Sequence, residues 1–216
     1  MGRGCSATIA ALWLALCLPA AAATFTAEIS DQDGKPVVNA VVSLLPDPKG
    51  PMPAASTRLA IEKTIDQRNE TFLPLVTVIP KSGRVIFANN DQTTHQVYSF
   101  SAAKQFEITL NRGQTSPPIT FDNLGVAALG CNIHDHMIAY VFVAESPWTA
   151  LTGADGRAVI DDVPAGTYQA QVWHPKYPPR REQPSARIAV STDITRWTAN
   201  IRVLPTTTTR SHAGSY

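Results

Sequence analysis

The chain is poor in cysteine, in charge and in long apolar runs. Only three of its 216 residues are cysteine, and Cys5 and Cys17 fall within the first 23. There Arg3, an apolar stretch over 7–18 and Ala21-Ala22-Ala23 before Thr24 make a cleavable secretory leader. Leu16 stands where a lipid-attachment motif needs a small residue before Cys17, so the reading is a leader and not a lipoprotein signal. Cys131 then remains alone, which excludes an internal disulfide framework. An exposed free thiol in an oxidising compartment is a liability, so Cys131 is either buried and inert or bound to something. The apolar run is too short to span a bilayer and no second one follows it. Charged residues are 16% of the chain, 18 Lys/Arg against 17 Asp/Glu, and cleavage of the leader removes Arg3. Net charge near zero without a basic run excludes the electrostatic footprint of a nucleic-acid binder. No Ser/His/Asp set, paired-carboxylate motif or glycine-rich phosphate loop is found, so no enzyme is expected.

Helical periodicity is also missing, and what replaces it is strand texture. Short alternating or continuous apolar runs at 25–29, 37–45, 75–79, 84–88, 96–100, 106–110, 119–121, 126–129 and 138–143 are separated by turn residues. That is the pattern of an all-β sandwich or barrel. Residues 46–53 form a Pro/Gly-rich loop, and the threonine-rich tail 206–216 reads as disordered.

The most informative stretch is Cys131-Asn132-Ile133-His134-Asp135-His136-Met137. A thiolate, an imidazole and a thioether lie within seven residues, between one predicted strand ending in Gly130 and another starting at Ile138. These are the soft and borderline donors of a mononuclear copper electron-transfer site. A fourth donor must come from elsewhere. His95 is the candidate, delivered by the polar turn 89–94 to the start of the next strand.

An asparagine, a histidine six residues later and a downstream C-x-x-H-x-x-M before a strand resemble the cupredoxins, amicyanin and plastocyanin-like proteins in particular. The matched positions are Asn89, His95, Cys131, His134 and Met137. The runs 66–68, 97–101 and 130–135 are similar to bacterial secreted proteins labelled methylamine-utilisation or plastocyanin-like; the label does not establish a role in amine metabolism. The resemblance implies one copper ion cycling between Cu(I) and Cu(II). His95, Cys131 and His134 would be its strong ligands, Met137 a weak axial one, and Asn89 would tie the ligand strand to the His95 turn and hydrogen-bond near the Cys131 sulfur. It also implies a Greek-key β-sandwich, periplasmic or secreted, passing electrons to a redox protein partner. Two departures stand out. Ile133 replaces the proline usual before the second histidine, and His136 occupies a position usually apolar or aromatic. His136 is read as an exposed loop histidine, with the alternatives that it competes with Met137 as axial ligand or binds a second metal.

Two further runs resemble a carboxypeptidase regulatory-like sandwich, the opening at 33–42 and the Asp-Gly turn, strand and Pro-Ala-Gly-x-Tyr of 155–168. They flank the metal motif. The expected order is a leader at 1–23, part of the outer sandwich at 24–59, a cupredoxin-like unit at 60–145, the rest of the outer sandwich at 146–205 and the tail. The inner unit is inserted in the outer one or stands beside it. His174, at a strand end in Trp-His-Pro, is read as structural. Alternatives to electron transfer are copper storage or delivery, and an envelope- or carbohydrate-binding module using Trp148, Trp173 and Trp197, for which core packing is the competing reading.

Overall fold

The computed structural model describes residues 22–50, 52–178 and 181–205. The leader and the tail lie outside the described residues. Sixteen strands run through them, with a single 3-10 turn at Ala55–Thr57. No helix among the described residues is long and apolar enough to cross a membrane.

The strands divide into two sandwiches with separate cores. The outer one uses β1 (Ala22–Asp31), β2 (Val41–Pro46), then β12 (Thr149–Leu151), β13 (Arg157–Pro164), β14 (Gly166–Trp173), β15 (Ser185–Val190) and β16 (Thr195–Ile201). Its sheets have the orders β13-β1-β16 and β12-β2-β14-β15. The alternation seen in the sequence is the reason. Phe25, Ala27 and Ile29 face inward from β1, against Leu44, Ile160, Ala170 and Ile201. Each large side chain buried this way stabilises the fold by about 1.5–3 kcal/mol.

The inner sandwich takes the chain between β2 and β12. It comprises β3 (Glu62–Gln67), β4 (Phe72–Leu73), β5 (Val76–Pro80), β6 (Gly83–Asn89), β7 (His95–Ser101), β8 (Lys104–Leu110), β9 (Ile119–Phe121), β10 (Gly125–Cys131) and β11 (Ile138–Ala144). One sheet runs β4-β3-β6-β9 and the other β5-β11-β10-β7-β8. β3 pairs parallel with β6, and β5 parallel with β11, while the remaining pairs are antiparallel. Phe72, Phe87, Phe121, Leu129 and Val141 fill the core between the sheets. Cys131 and Met137 belong to the same core, so the ligand loop is rooted in packed interior.

Trp173, at the end of β14, stacks against Tyr140 and Phe142 of β11 at centroid distances of 5.7 and 5.6 Å and so joins the sandwiches. Trp148 packs on Tyr168 and Trp197 on Phe25. The three tryptophans are thus engaged in packing within and between sandwiches.

Candidate metal centre

β7 and β10 are antiparallel neighbours, with Val97 opposite Cys131 and Tyr98 opposite Gly130. The side-chain period of two puts His95, Val97 and Ser99 on one face, so His95 reaches the core beside Cys131. The Asn132 N–H bonds the Gln96 carbonyl at 3.1 Å and carries the pairing into the loop. The Met137 N–H closes a tight turn onto the His134 carbonyl at 3.0 Å, returning the chain to β11. Gly130 is required by what lies over it. A Cβ there would come within 2.6 Å of the Tyr98 ring.

This framework gathers the donors. The ligand atoms of His95, Cys131 and His134 lie within 4.8 Å of one another. His95 Nδ1 is 3.6 Å from Cys131 Sγ. For metal bonds of about 2.0–2.3 Å set at 120°, the edge of a trigonal plane is about 3.5–3.7 Å, so this separation fits a shared ion. Nδ1 of His134 is buried and has no hydrogen-bond partner, an orphan that a metal would satisfy. His95 is 0%, Cys131 2% and Met137 1% exposed. His134 alone of the four is partly open to solvent. His136 points outward, its side chain 63% exposed, with Nε2 3.5 Å from Glu70 Oε2. It lies outside the three-donor cluster, whereas the neighbouring Met137 is buried beneath the loop.

Asn89 makes one of its two expected links. Its amide donates to the Thr93 and Leu110 carbonyls at 2.8 and 2.9 Å, and its Oδ1 accepts the Asp91 N–H at 3.0 Å. It does tie β6 to the His95 turn. Its polar atoms are used up there, however, and the sulfur's hydrogen-bond contact among the described residues is His95. Asn90 is exposed and bonds Asp66, so it does not take the role either.

Two carboxylates that the sequence did not mark sit at the far nitrogens of His95 and His134. Asp91 Oδ2 is 2.8 Å from His95 Nε2. Glu70 Oε1 is 3.5 Å from His134 Nε2. Asp91 also accepts the N–H groups of Asn69 and Glu70, the latter at 2.9 Å. Those two residues are the centre of the two-residue hairpin turn between β3 and β4, both with positive φ, 51° and 52°. Burial pushes the Asp91 carboxyl up, but the Glu70 N–H, His95 and the Asn69 N–H outweigh it and hold it below the usual carboxylate range. An acid four residues before His95 was the available sign, but Asp in a polar turn is too common to single out.

No family model matches the chain, and no curated protein matches it. Among solved structures it is similar to a copper-containing nitrite reductase from Thermus scotoductus, 22% identical with a TM-score of 0.38, over 44% of this chain and 27% of that one. The chain thus spans little more than a quarter of that enzyme's length. A purple cupredoxin from Nitrosopumilus maritimus is 23% identical with a TM-score of 0.34, over 38% of this chain and 98% of that one. Amicyanin from Paracoccus versutus is 19% identical with a TM-score of 0.35, over 48% and 97%.

Proposed function

We propose that this chain is a secreted copper protein that carries single electrons between redox partners. The observation that carries the reading is the convergence of three unlike donors. A histidine ring nitrogen lies 3.6 Å from the one thiol of the mature chain, and a buried, unpartnered histidine nitrogen lies beside them. The set suits copper better than structural zinc, which takes several cysteines or histidines and rarely a methionine. His95, Cys131 and His134 would hold the ion, and Met137 would add a weaker fourth donor. When bound, copper supplies a one-electron couple.

The protein's own part is to keep the donors still and dry. Cys131 and His95 are fixed by paired strands, Met137 by the core and the loop turn, and the low exposure of all three excludes water. A site that does not rearrange between oxidation states keeps the reorganisation cost of electron transfer low. His134 is the donor nearest solvent, so a partner protein would meet the site at its imidazole.

Adding Cu(II) to the metal-free protein should give an intense thiolate-to-copper absorption band in the red part of the visible spectrum, and Cys131→Ser should abolish it. A colourless Cu(II) complex would overturn the reading. Copper storage or delivery is the second reading, supported by exposed His136 and by Glu70 between it and His134. Rapid loss of copper to a chelator, with no reversible one-electron wave in voltammetry, would favour it.

A further inference from the structure

We propose that Asp91 is a positioning residue for the metal centre, orienting His95 and tying it to the hairpin turn that brings Glu70 to His134 and His136. The inference rests on the copper reading above.

Three contacts converge on one carboxylate. At 2.8 Å from an ionised Asp91, His95 Nε2 must carry the proton and donate it. Nδ1 is then an unprotonated lone pair, and it is the nitrogen that faces Cys131 Sγ. Without metal the thiol S–H can donate to it; with metal the lone pair is free to bind. A backbone carbonyl at Nε2 would select the same tautomer. A carboxylate also makes the imidazole a stronger base and places a negative charge one ring away from the ion. Both effects favour Cu(II) over Cu(I).

The same carboxylate also holds the β3–β4 turn. Asn tolerates positive φ, but Glu70 does so at a cost of about 1 kcal/mol. Asp91 offsets it by accepting both exposed N–H groups of the turn. This places the Glu70 carboxylate with one oxygen toward each of His134 and His136, each pair 3.5 Å apart. Both ligand histidines are therefore braced from one corner, His95 directly and His134 through the turn. Asp66 is a control within that corner. It bonds Asn90 and Arg68 and does not touch His95.

The test has one arm with copper and one without. In the metal-free protein, long-range proton–nitrogen spectra should show His95 protonated on Nε2 in the wild type and in Asp91→Asn, whose Oδ1 still accepts, and mixed in Asp91→Ala. A wild-type His95 protonated on Nδ1 overturns the proposal without touching the copper reading. With copper, Asp91→Asn should weaken Cu(II) binding by about 10- to 100-fold with little change for Cu(I). Each factor of ten in that ratio raises the potential by about 59 mV. Asp66→Asn should leave the potential where it is. Asp91→Asn with the wild-type potential, or Asp66→Asn with an equal rise, overturns the positioning role. A wild type that forms no coloured Cu(II) complex sinks the copper reading instead, and the tautomer spectra of Asp91→Ala then decide the orientation of His95 alone.

Discussion

Each sandwich buries one histidine, and the two are held in opposite ways. His95 of the inner sandwich has a carboxylate at Nε2 and a sulfur at Nδ1. His174 of the outer sandwich has its Nδ1 occupied by the Lys176 N–H at 3.2 Å, and it bonds the Val38 backbone as well. Burial, together with the nearby Lys176 charge, lowers its pKa despite the Val38 bond, which favours the neutral form. Both imidazoles are buried; only one has a ring nitrogen facing another strong metal donor, the Cys131 sulfur. Burial therefore does not separate a ligand histidine from a structural one. What the two nitrogens face does.

The largest expected effect tests that contrast directly. His95→Ala should cost more than the 10- to 100-fold in Cu(II) affinity that loss of a supporting partner costs, since it removes a ligand outright. It should also destabilise the metal-free fold by about 1–3 kcal/mol, because Asp91 loses one of its three donors. His174→Ala should cost about 2 kcal/mol of stability, with Cu(II) affinity unchanged. Urea unfolding of the metal-free variants and a copper titration measure both. Equal copper losses in the two would erase the distinction.

A middle-sized effect examines the sulfur side of the pair. Gly130→Ala would place a Cβ 2.6 Å from the Tyr98 ring, which must swing away. The expected cost is about 1–3 kcal/mol, with a shift of the charge-transfer band because Cys131 is the next residue. Tyr98→Ala in the same chain should restore most of the loss. If Gly130→Ala is silent in both readouts, the Cys131 position is less tightly set by β7 than the pairing indicates.

The contrast also explains what could be read from the sequence. Cys131, His134 and Met137 are legible because three donors fall within seven residues, and His95 because it opens an apolar strand after a polar turn. His174 was read as structural from its place at a strand end, and its bonds fit that. The all-β texture was clear in the alternating apolar runs up to residue 143, while β15 and β16 of the outer sandwich were not marked. It failed at β3, Glu62–Gln67, where only Ile65 and Gln67 are buried and the rest of the strand is charged or polar. Losing β3 meant losing the turn after it, and with that turn Glu70. Asp91 was visible as a residue but not as a partner, because its role exists only once the 89–94 loop folds against the β3–β4 hairpin. Asn89 was assigned to the sulfur, but its amide satisfies carbonyls of its own loop and of β8. Local spacing thus marks the candidate ligands, while the carboxylates beside them come from contacts distant in sequence.

The smallest effect belongs to the outer sandwich and concerns pH. His174 has a folded pKa below the ordinary 6.5, with burial as the main cause. The unfolded chain therefore takes up the proton first as pH falls. Proton uptake by the unfolded state alone lowers folding stability with falling pH, by at most about 1.4 kcal/mol per pH unit for one group. The loss should begin as pH drops through about 6.5 and level off once it passes the folded pKa. His174→Gln keeps a polar side chain of similar reach but cannot titrate, so its stability should be flatter over that window. The measurement is the unfolding free energy of the metal-free protein at several pH values above about 5, where most carboxylates are still ionised. If wild type and His174→Gln show the same slope, the imidazole titrates alike in the folded and unfolded chain, and burial does not lower its pKa. The contrast with His95 would still stand on what the two nitrogens face, since that is read from bonding partners and not from titration.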